Sequence, residues 1–135
     1  MARSVRLEFE GEVSHSQEML DGTRQMVLEG RAEDGAHGSW AITVHLAWTM
    51  GSEAEIEEGD LTLSRADGSE LNAGLRAGRY RESGLEGVEG AAEAFEAAFD
   101  IDGGEGEFAS GGGTVRLRGT FSEERFSAVA DVRLT

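Results

Sequence analysis

Hydrophobic and polar residues alternate along most of this chain, with the period of two expected of β-strands that bury one face. The strongest alternation runs over residues 38–50, where large apolar side chains occupy every second position from Trp40 to Met50. Weaker versions of the pattern recur between glycine-rich or polar turns. They predict eight strands, at residues 5–13, 22–33, 38–50, 56–65, 70–82, 92–101, 113–121 and 125–134.

One segment offers two interpretations. Residues 90–99 are rich in alanine and glutamate, which favour a helix. The same segment keeps Phe95, Ala97, Phe99 and Ile101 in strict alternation, and no N-cap residue precedes it. Because it also lies between two predicted strands, we predict a strand here.

The number and length of these strands predict an all-β fold, an eight-stranded antiparallel closed β-barrel formed by a single domain over residues 1–135. Closure removes exposed sheet edges and leaves an interior wide enough for one small ligand. A two-sheet β-sandwich uses the same strands and is the alternative. The chain contains no cysteine, so neither disulfides nor thiolate chemistry contribute to it.

Charge narrows the choice of partners. The formal net charge is -15, and all twelve basic residues are arginine, a composition typical of a GC-rich genome. So acidic a surface repels nucleic acid and anionic lipids. No apolar stretch reaches the roughly 20 residues that a membrane-spanning helix needs, and the start lacks a secretory hydrophobic segment. We therefore expect a cytoplasmic protein that binds neither nucleic acid nor membrane, with a homodimer left open.

A glycine-rich stretch, residues 100–115, resembles a pattern found between two late strands of allene oxide cyclase-like and dirigent-like β-barrels. The matching positions are Gly103, Gly104, Gly106, Phe108, Gly113 and Thr114. The sequence departs from the pattern at Glu105, where threonine is usual, and at Ser110-Gly111, where Gly-Ala is usual. The resemblance extends loosely through residues 59–63 and the last two strands. It implies a barrel with a lumen more strongly than it implies a particular reaction.

The same glycines also satisfy a plain structural requirement for positive φ angles and bulges in a wide loop. A phosphate-binding loop is excluded because no helix follows and Asp102, Glu105 and Glu107 repel phosphate. The start Asp100-x-Asp102 is similar to a calcium loop, but the twelfth position is Gly111 rather than a bidentate carboxylate. The three histidines lack zinc-site spacing, so we predict no metal and no cofactor.

Two interpretations of strand 38–50 lead to different sites. If the face carrying Thr43 and His45 points into the lumen, Thr43 leaves room for a ligand and His45 can transfer protons near neutral pH. If the apolar face points inward, Trp40, Trp48 and Met50 contact the ligand, and His45 faces outward. A hydrogen-bonded structural histidine and ordinary core tryptophans remain the simpler explanations.

Other candidates come from neighbouring strands. Phe95 and Phe99 are predicted ligand contacts, and Tyr80, the only tyrosine, is a candidate catalytic hydrogen-bond donor at the barrel mouth. Glu96 and Asp100 lie on the opposite face of their strand as candidate buried carboxylates, although most such residues are solvated.

No Gly-x-Ser-x-Gly motif appears. The sequence therefore predicts a barrel that binds a small, largely apolar molecule and guides its cyclisation or isomerisation without a cofactor. A noncatalytic binding or interaction module is the alternative, and a purely structural subunit would have a filled core.

Overall fold

The computed structural model describes residues 3–34, 38–51, 53–82, 93–109 and 112–135. Eight strands are present, as the alternation predicts, and the helix-prone segment is extended from Glu93 onward. One short 3-10 helix, Gly106–Phe108, follows the sixth strand. The strands are β1 (Arg3–Glu18), β2 (Thr23–Asp34), β3 (Gly38–Thr49), β4 (Glu53–Arg65), β5 (Glu70–Arg81), β6 (Glu93–Glu105), β7 (Gly113–Phe121) and β8 (Arg125–Leu134).

The strands form one closed antiparallel barrel in which each pairs with its neighbours in sequence. The first and last strands complete the ring, with Arg3 opposite Leu134 at one end of the ladder and Glu12 opposite Arg125 at the other. Since the sheet closes on itself, the predicted barrel is confirmed and the sandwich alternative does not apply.

Irregularities in the ladders bend the strands around the ring. Register shifts occur in β1 at Ser14, in β4 at Glu57, in β5 at Arg76 and in β6 at Asp102. Each inserts an extra residue opposite its partner strand, which increases local twist and curvature. The β4–β5 ladder is also interrupted between the Glu55–Arg79 and Asp60–Gly74 pairs.

The inward positions of the barrel form one continuous apolar core. Many of its side chains have no surface accessible to water, so a void of water size does not adjoin them. The largest fully buried ones are Trp48, Phe9, Phe99, Phe121, Leu7, Met26, Leu28, Ile42, Leu46, Leu61, Leu63 and Leu71.

The two ends of the barrel are named here after the tryptophans of β3. The Trp48 end carries the last residues of β1, β3, β5 and β7 and the first residues of β2, β4, β6 and β8. The Trp40 end carries the opposite ends of these strands. Both tryptophans point inward because residues eight apart on a strand share a face.

Candidate functional site

The structure places five of the predicted site residues inside the barrel. Trp40, Trp48, Tyr80, Phe95 and Phe99 are all buried. Three of them are close together at the Trp48 end, where Trp48 stacks on Tyr80 and both rings lie near Phe121, which also contacts Phe95. Trp40 lies at the opposite end, and Phe99 belongs to the core between them.

Of the two interpretations of strand 38–50, the structure shows the one in which the apolar face is inner, and the remaining three predicted site residues lie outside the lumen. Thr43 and His45 occupy the outward positions of β3 because the apolar alternate residues fill the core. The His45 side chain is 54% exposed, with Nδ1 4.0 Å from Oδ2 of the exposed Asp60. Met50 follows the last residue of β3 and is 42% exposed.

A charged cluster at the Trp48 end was not anticipated. Arg24 is the second residue of β2, and Glu93 is the first residue of β6. The Arg24 guanidinium forms an ion pair with the Glu93 carboxylate. Arg24 Nη1 donates to Glu93 Oε1 over 2.7 Å, and Nη2 lies 3.5 Å from Oε2. The Tyr80 hydroxyl donates a short hydrogen bond to the same Oε1. The side chains of Arg24 and Glu93 are only 16% and 25% exposed.

Aromatic rings surround this cluster. The Arg24 guanidinium carbon lies 5.5 Å from the ring centroid of Trp48 and 5.6 Å from that of Phe121, which is cation–π geometry. Trp48 and Tyr80 stack with centroids 4.7 Å apart and planes inclined by 21°. Arg24 is therefore held by two ring faces and one carboxylate.

The electrostatics of the cluster follow from burial and the shared carboxylate. Burial, and then the hydrogen bond and negative charge of Glu93, raise the pKa of Tyr80 well above its ordinary value. Burial by itself lowers the pKa of Arg24, but the hydrogen bond and charge of Glu93 outweigh it and raise that pKa overall. At neutral pH the phenol therefore keeps its proton and the guanidinium its charge.

A groove of about 700 Å³ borders the cluster on the outer wall of the barrel. Tyr80 and Phe95 line it, together with small residues such as Ala54, Ala94 and Gly119. Its charged walls are formed by Glu53, Glu55, Arg79, Arg81, Glu96 and Arg118.

The charged walls alternate in sign around the barrel. Glu55 lies opposite Arg79, Arg79 opposite Glu96, and Glu96 opposite Arg118. A second concavity of about 400 Å³ shares Glu55, Arg79 and Glu96 with the groove and adds Arg76. The groove thus combines a floor of small apolar groups with walls of alternating charge.

The carboxylates considered from the sequence are on the outside. Glu96 is exposed in the groove wall, and Asp100 is exposed and accepts a hydrogen bond from Arg76 Nε over 3.2 Å. No group of three or more metal-ligating side chains is found among the described residues.

The Trp40 end is closed by apolar packing. The glycine-rich stretch continues β6 to Glu105 and then turns through the 3-10 helix, which places Phe108 with its ring centroid 5.9 Å from that of Trp40. The Arg65 guanidinium carbon lies 5.4 Å from the Trp40 ring centroid, and its Nη2 is 3.8 Å from Oδ2 of Asp67. This end is a plug rather than an opening.

Sequence reasoning missed Arg24 and Glu93. The alternation of inward and outward positions along each strand could have identified them. Arg24 lies on the inward face of β2 with Met26 and Leu28, and Glu93 lies on the inward face of β6 with Phe95. A charged residue on the apolar face of a barrel strand, at its end, indicates a position at the barrel mouth with a partner.

Comparison of the sequence with models of known protein families finds no match, and no curated protein is significantly similar to it. Within the part of the chain that the structure describes, no helix has the length and hydropathy that a membrane span requires.

Proposed function

We propose that this protein binds a small, largely apolar molecule at the Trp48 end and guides its cyclisation or isomerisation without a cofactor. The observation that carries this proposal is the pairing of the Tyr80 hydroxyl and Arg24 guanidinium on an aromatic wall beside the 700 Å³ groove. The resemblance to allene oxide cyclase-like and dirigent-like barrels is consistent with such a reaction, and a cytoplasmic location belongs to the same proposal.

The chemistry follows from the protonation states of the two donors. Tyr80, which keeps its proton at physiological pH, donates its hydrogen bond to an oxygen of the substrate in place of Glu93 Oε1. Arg24 stabilises negative charge that develops on that oxygen, and its partial burial strengthens the interaction. The aromatic rings exclude water and hold the apolar part of the substrate in one conformation.

The packed interior determines where the ligand lies in this proposal. Core side chains such as Phe9, Val44 and Phe99 have no accessible surface, so the ligand occupies the mouth and groove rather than the centre of the barrel. The same packing favours a second candidate, a noncatalytic module that binds a small molecule at this site, since a shallow site surrounds a substrate less completely.

Tryptophan fluorescence tests the binding site, because the chain has only two tryptophans, one at each end. We expect 2-naphthalenemethanol, a neutral apolar probe, to change the emission of the wild type and of Trp40→Phe. We expect no change in Trp48→Phe, whose remaining tryptophan lies at the closed end. A response that disappears in Trp40→Phe instead, or no binding of the probe in any variant, contradicts the proposed site.

Identification of the molecule that co-purifies with the protein distinguishes catalytic turnover from binding alone. Cyclisation and isomerisation conserve mass, so native mass spectrometry gives the ligand mass and chromatography of the released ligand distinguishes the isomers. We expect Tyr80→Phe to retain a different isomer from the wild type. The same isomer in both proteins would support the noncatalytic candidate.

A further inference from the structure

Glu93 is bound in the way that proteins bind a free carboxylate. Both of its oxygens face the guanidinium fork of Arg24, and one of them also accepts from the Tyr80 hydroxyl. Arginine forks recognise carboxylates through this two-pronged geometry. The donors belong to β2 and β5, whereas the carboxylate belongs to β6, so three strands meet at one small anion site.

A further donor in the cluster is unused. The indole Nε1 of Trp48 is buried and has no hydrogen-bond acceptor among the described residues. An unsatisfied buried N–H is unfavourable by roughly 1–3 kcal/mol. Trp48 stacks on Tyr80 and underlies Arg24, so this donor belongs to the surroundings of the anion site. The cluster therefore offers more donor capacity than one glutamate uses.

We infer that Glu93 occupies a carboxylate-binding site as an internal ligand, and that the molecule bound by this protein is an amphipathic carboxylate that displaces it. This inference rests on the proposed function and names its ligand class. The ligand carboxylate takes the contacts with Arg24 and Tyr80, and its apolar part extends past the start of β6 to the small residues of the groove, such as Ala94 and Gly119.

Exchange of one carboxylate for another avoids the main energetic cost of displacing Glu93, which is an unpaired Arg24 charge. A largely buried guanidinium that loses its carboxylate partner is destabilised, whereas a swap keeps the Arg24 charge paired throughout. Glu93 is the first residue of β6 and retains 25% of its side-chain exposure, so it is the member of the cluster nearest to solvent. A carboxylate can therefore replace Glu93 on Arg24 and Tyr80, whereas a neutral molecule binds beside the pair and leaves Glu93 in place.

The test uses two probes with the same ring system, 2-naphthoate and the neutral 2-naphthalenemethanol, titrated into the full chain by fluorescence. Glu93→Gln keeps the shape of the side chain but removes the competing charge. We expect it to bind 2-naphthoate about tenfold or more tightly than the wild type does, with 2-naphthalenemethanol changed less than about twofold. Glu33→Gln is the matched control, because Glu33 accepts from Ser39 at the opposite end of the barrel.

Glu93→Asp provides the second variant and decides the matter if Glu93→Gln does not fold. Its carboxylate is one methylene shorter and competes less well for Arg24 and Tyr80, so we expect affinity for 2-naphthoate to rise about threefold or more while 2-naphthalenemethanol binds as before.

The outcomes separate the two proposals. Unchanged relative affinity for the two probes in Glu93→Gln, or in Glu93→Asp if the first variant is unfolded, overturns the carboxylate inference and leaves the proposed function intact. Binding of neither probe to any variant overturns both. An equal gain in Glu33→Gln would reduce the effect to net charge and also overturns the inference.

Discussion

The two ends of the barrel repeat one motif and put it to different uses. At each end an inward tryptophan of β3 lies under an arginine, Arg24 over Trp48 at 5.5 Å and Arg65 over Trp40 at 5.4 Å. At the Trp40 end the arginine is near an exposed aspartate on the hairpin turn, and Phe108 packs against the indole. At the Trp48 end the arginine meets a largely buried carboxylate that also binds Tyr80.

The comparison indicates that an arginine over a tryptophan ring by itself only covers the end of the barrel. It becomes a candidate site only where a second polar group is brought under the same aromatic cover, because a buried ion pair and hydroxyl have hydrogen-bonding capacity that a ligand can share. At the Trp40 end Phe108 packs against the indole, and no buried carboxylate is found there among the described residues.

The largest expected effect tests whether the two ends are equally important for stability. Trp48→Ala and Trp40→Ala each remove a buried indole and should lower the free energy of unfolding by about 3–5 kcal/mol. Urea denaturation followed by circular dichroism measures both. A loss below about 1 kcal/mol for Trp40→Ala would mean that Phe108 closes its end without help from the indole.

The next prediction compares how much the carboxylates near the two arginines, Glu93 and Asp67, contribute to stability. Glu93→Ala leaves the Arg24 charge and the Tyr80 hydroxyl without their shared acceptor, and should cost about 2 kcal/mol, less than a fully buried pair because the site is partly exposed. Asp67→Ala, at the exposed turn, should shift the urea midpoint less. Equal shifts for the two variants would show that the Trp48-end cluster is an ordinary surface ion pair.

Glycines in the connections at the two ends should respond unequally. Gly106 has φ +65° and a Cβ there would lie 2.7 Å from Ser69 Oγ, whereas Gly22 has φ +88° with no atom within 4 Å of such a Cβ. Both alanine variants incur the left-handed strain of about 1–2 kcal/mol, and Gly106→Ala adds a clash. Thermal unfolding should rank Gly106→Ala below Gly22→Ala, and the reverse order would show that the Trp40-end plug tolerates expansion.

The cluster also predicts an alkaline dependence of stability. Because the pKa of Tyr80 is raised by folding, its contribution is complete below about pH 10, the pKa of an unfolded tyrosine, and is lost as pH rises. The slope approaches about 1.4 kcal/mol per pH unit. With no lysine and one tyrosine in the chain, ultraviolet absorbance reads this group directly. A slope of the same size in Tyr80→Phe would mean that a group other than Tyr80 causes the pH dependence of stability.

The smallest effect is expected outside both ends. His45→Ala removes a half-exposed side chain from the outer face of β3, so stability should change by less than about 0.5 kcal/mol. Binding of 2-naphthalenemethanol should also be unchanged. A loss of binding would return His45 to the site and place the ligand on the outer wall of β3.

Most strand boundaries were predictable because one face of each strand is buried. β7 and β8 have the predicted limits, and β3 and β5 each end one residue early. β1 runs five residues beyond the predicted end at Val13, since the extension after the Ser14 bulge is exposed on both faces and shows no alternation. β6 continues into the glycine-rich stretch because β5 supplies backbone partners for Gly103 and Gly104.

The candidate site was only partly predictable. Tyr80 and Phe95 were identified from the sequence and lie in the groove wall. The orientation of Thr43 and His45 was left open between two interpretations, because alternation gives two faces without saying which is inner. Arg24 and Glu93, 69 residues apart, carry no local signal of their partnership, which arises where β2 and β6 reach the same end of the ring.

The sequence by itself determined the strands, their alternation and a closed barrel, because period-two burial and turn chemistry act over a few residues. Only the tertiary structure decided which face of β3 is inner, that the interior is filled, and that one arginine meets a carboxylate while the other meets a plug. Those outcomes depend on ring closure and on side-chain volumes contributed by all eight strands, which no single strand encodes.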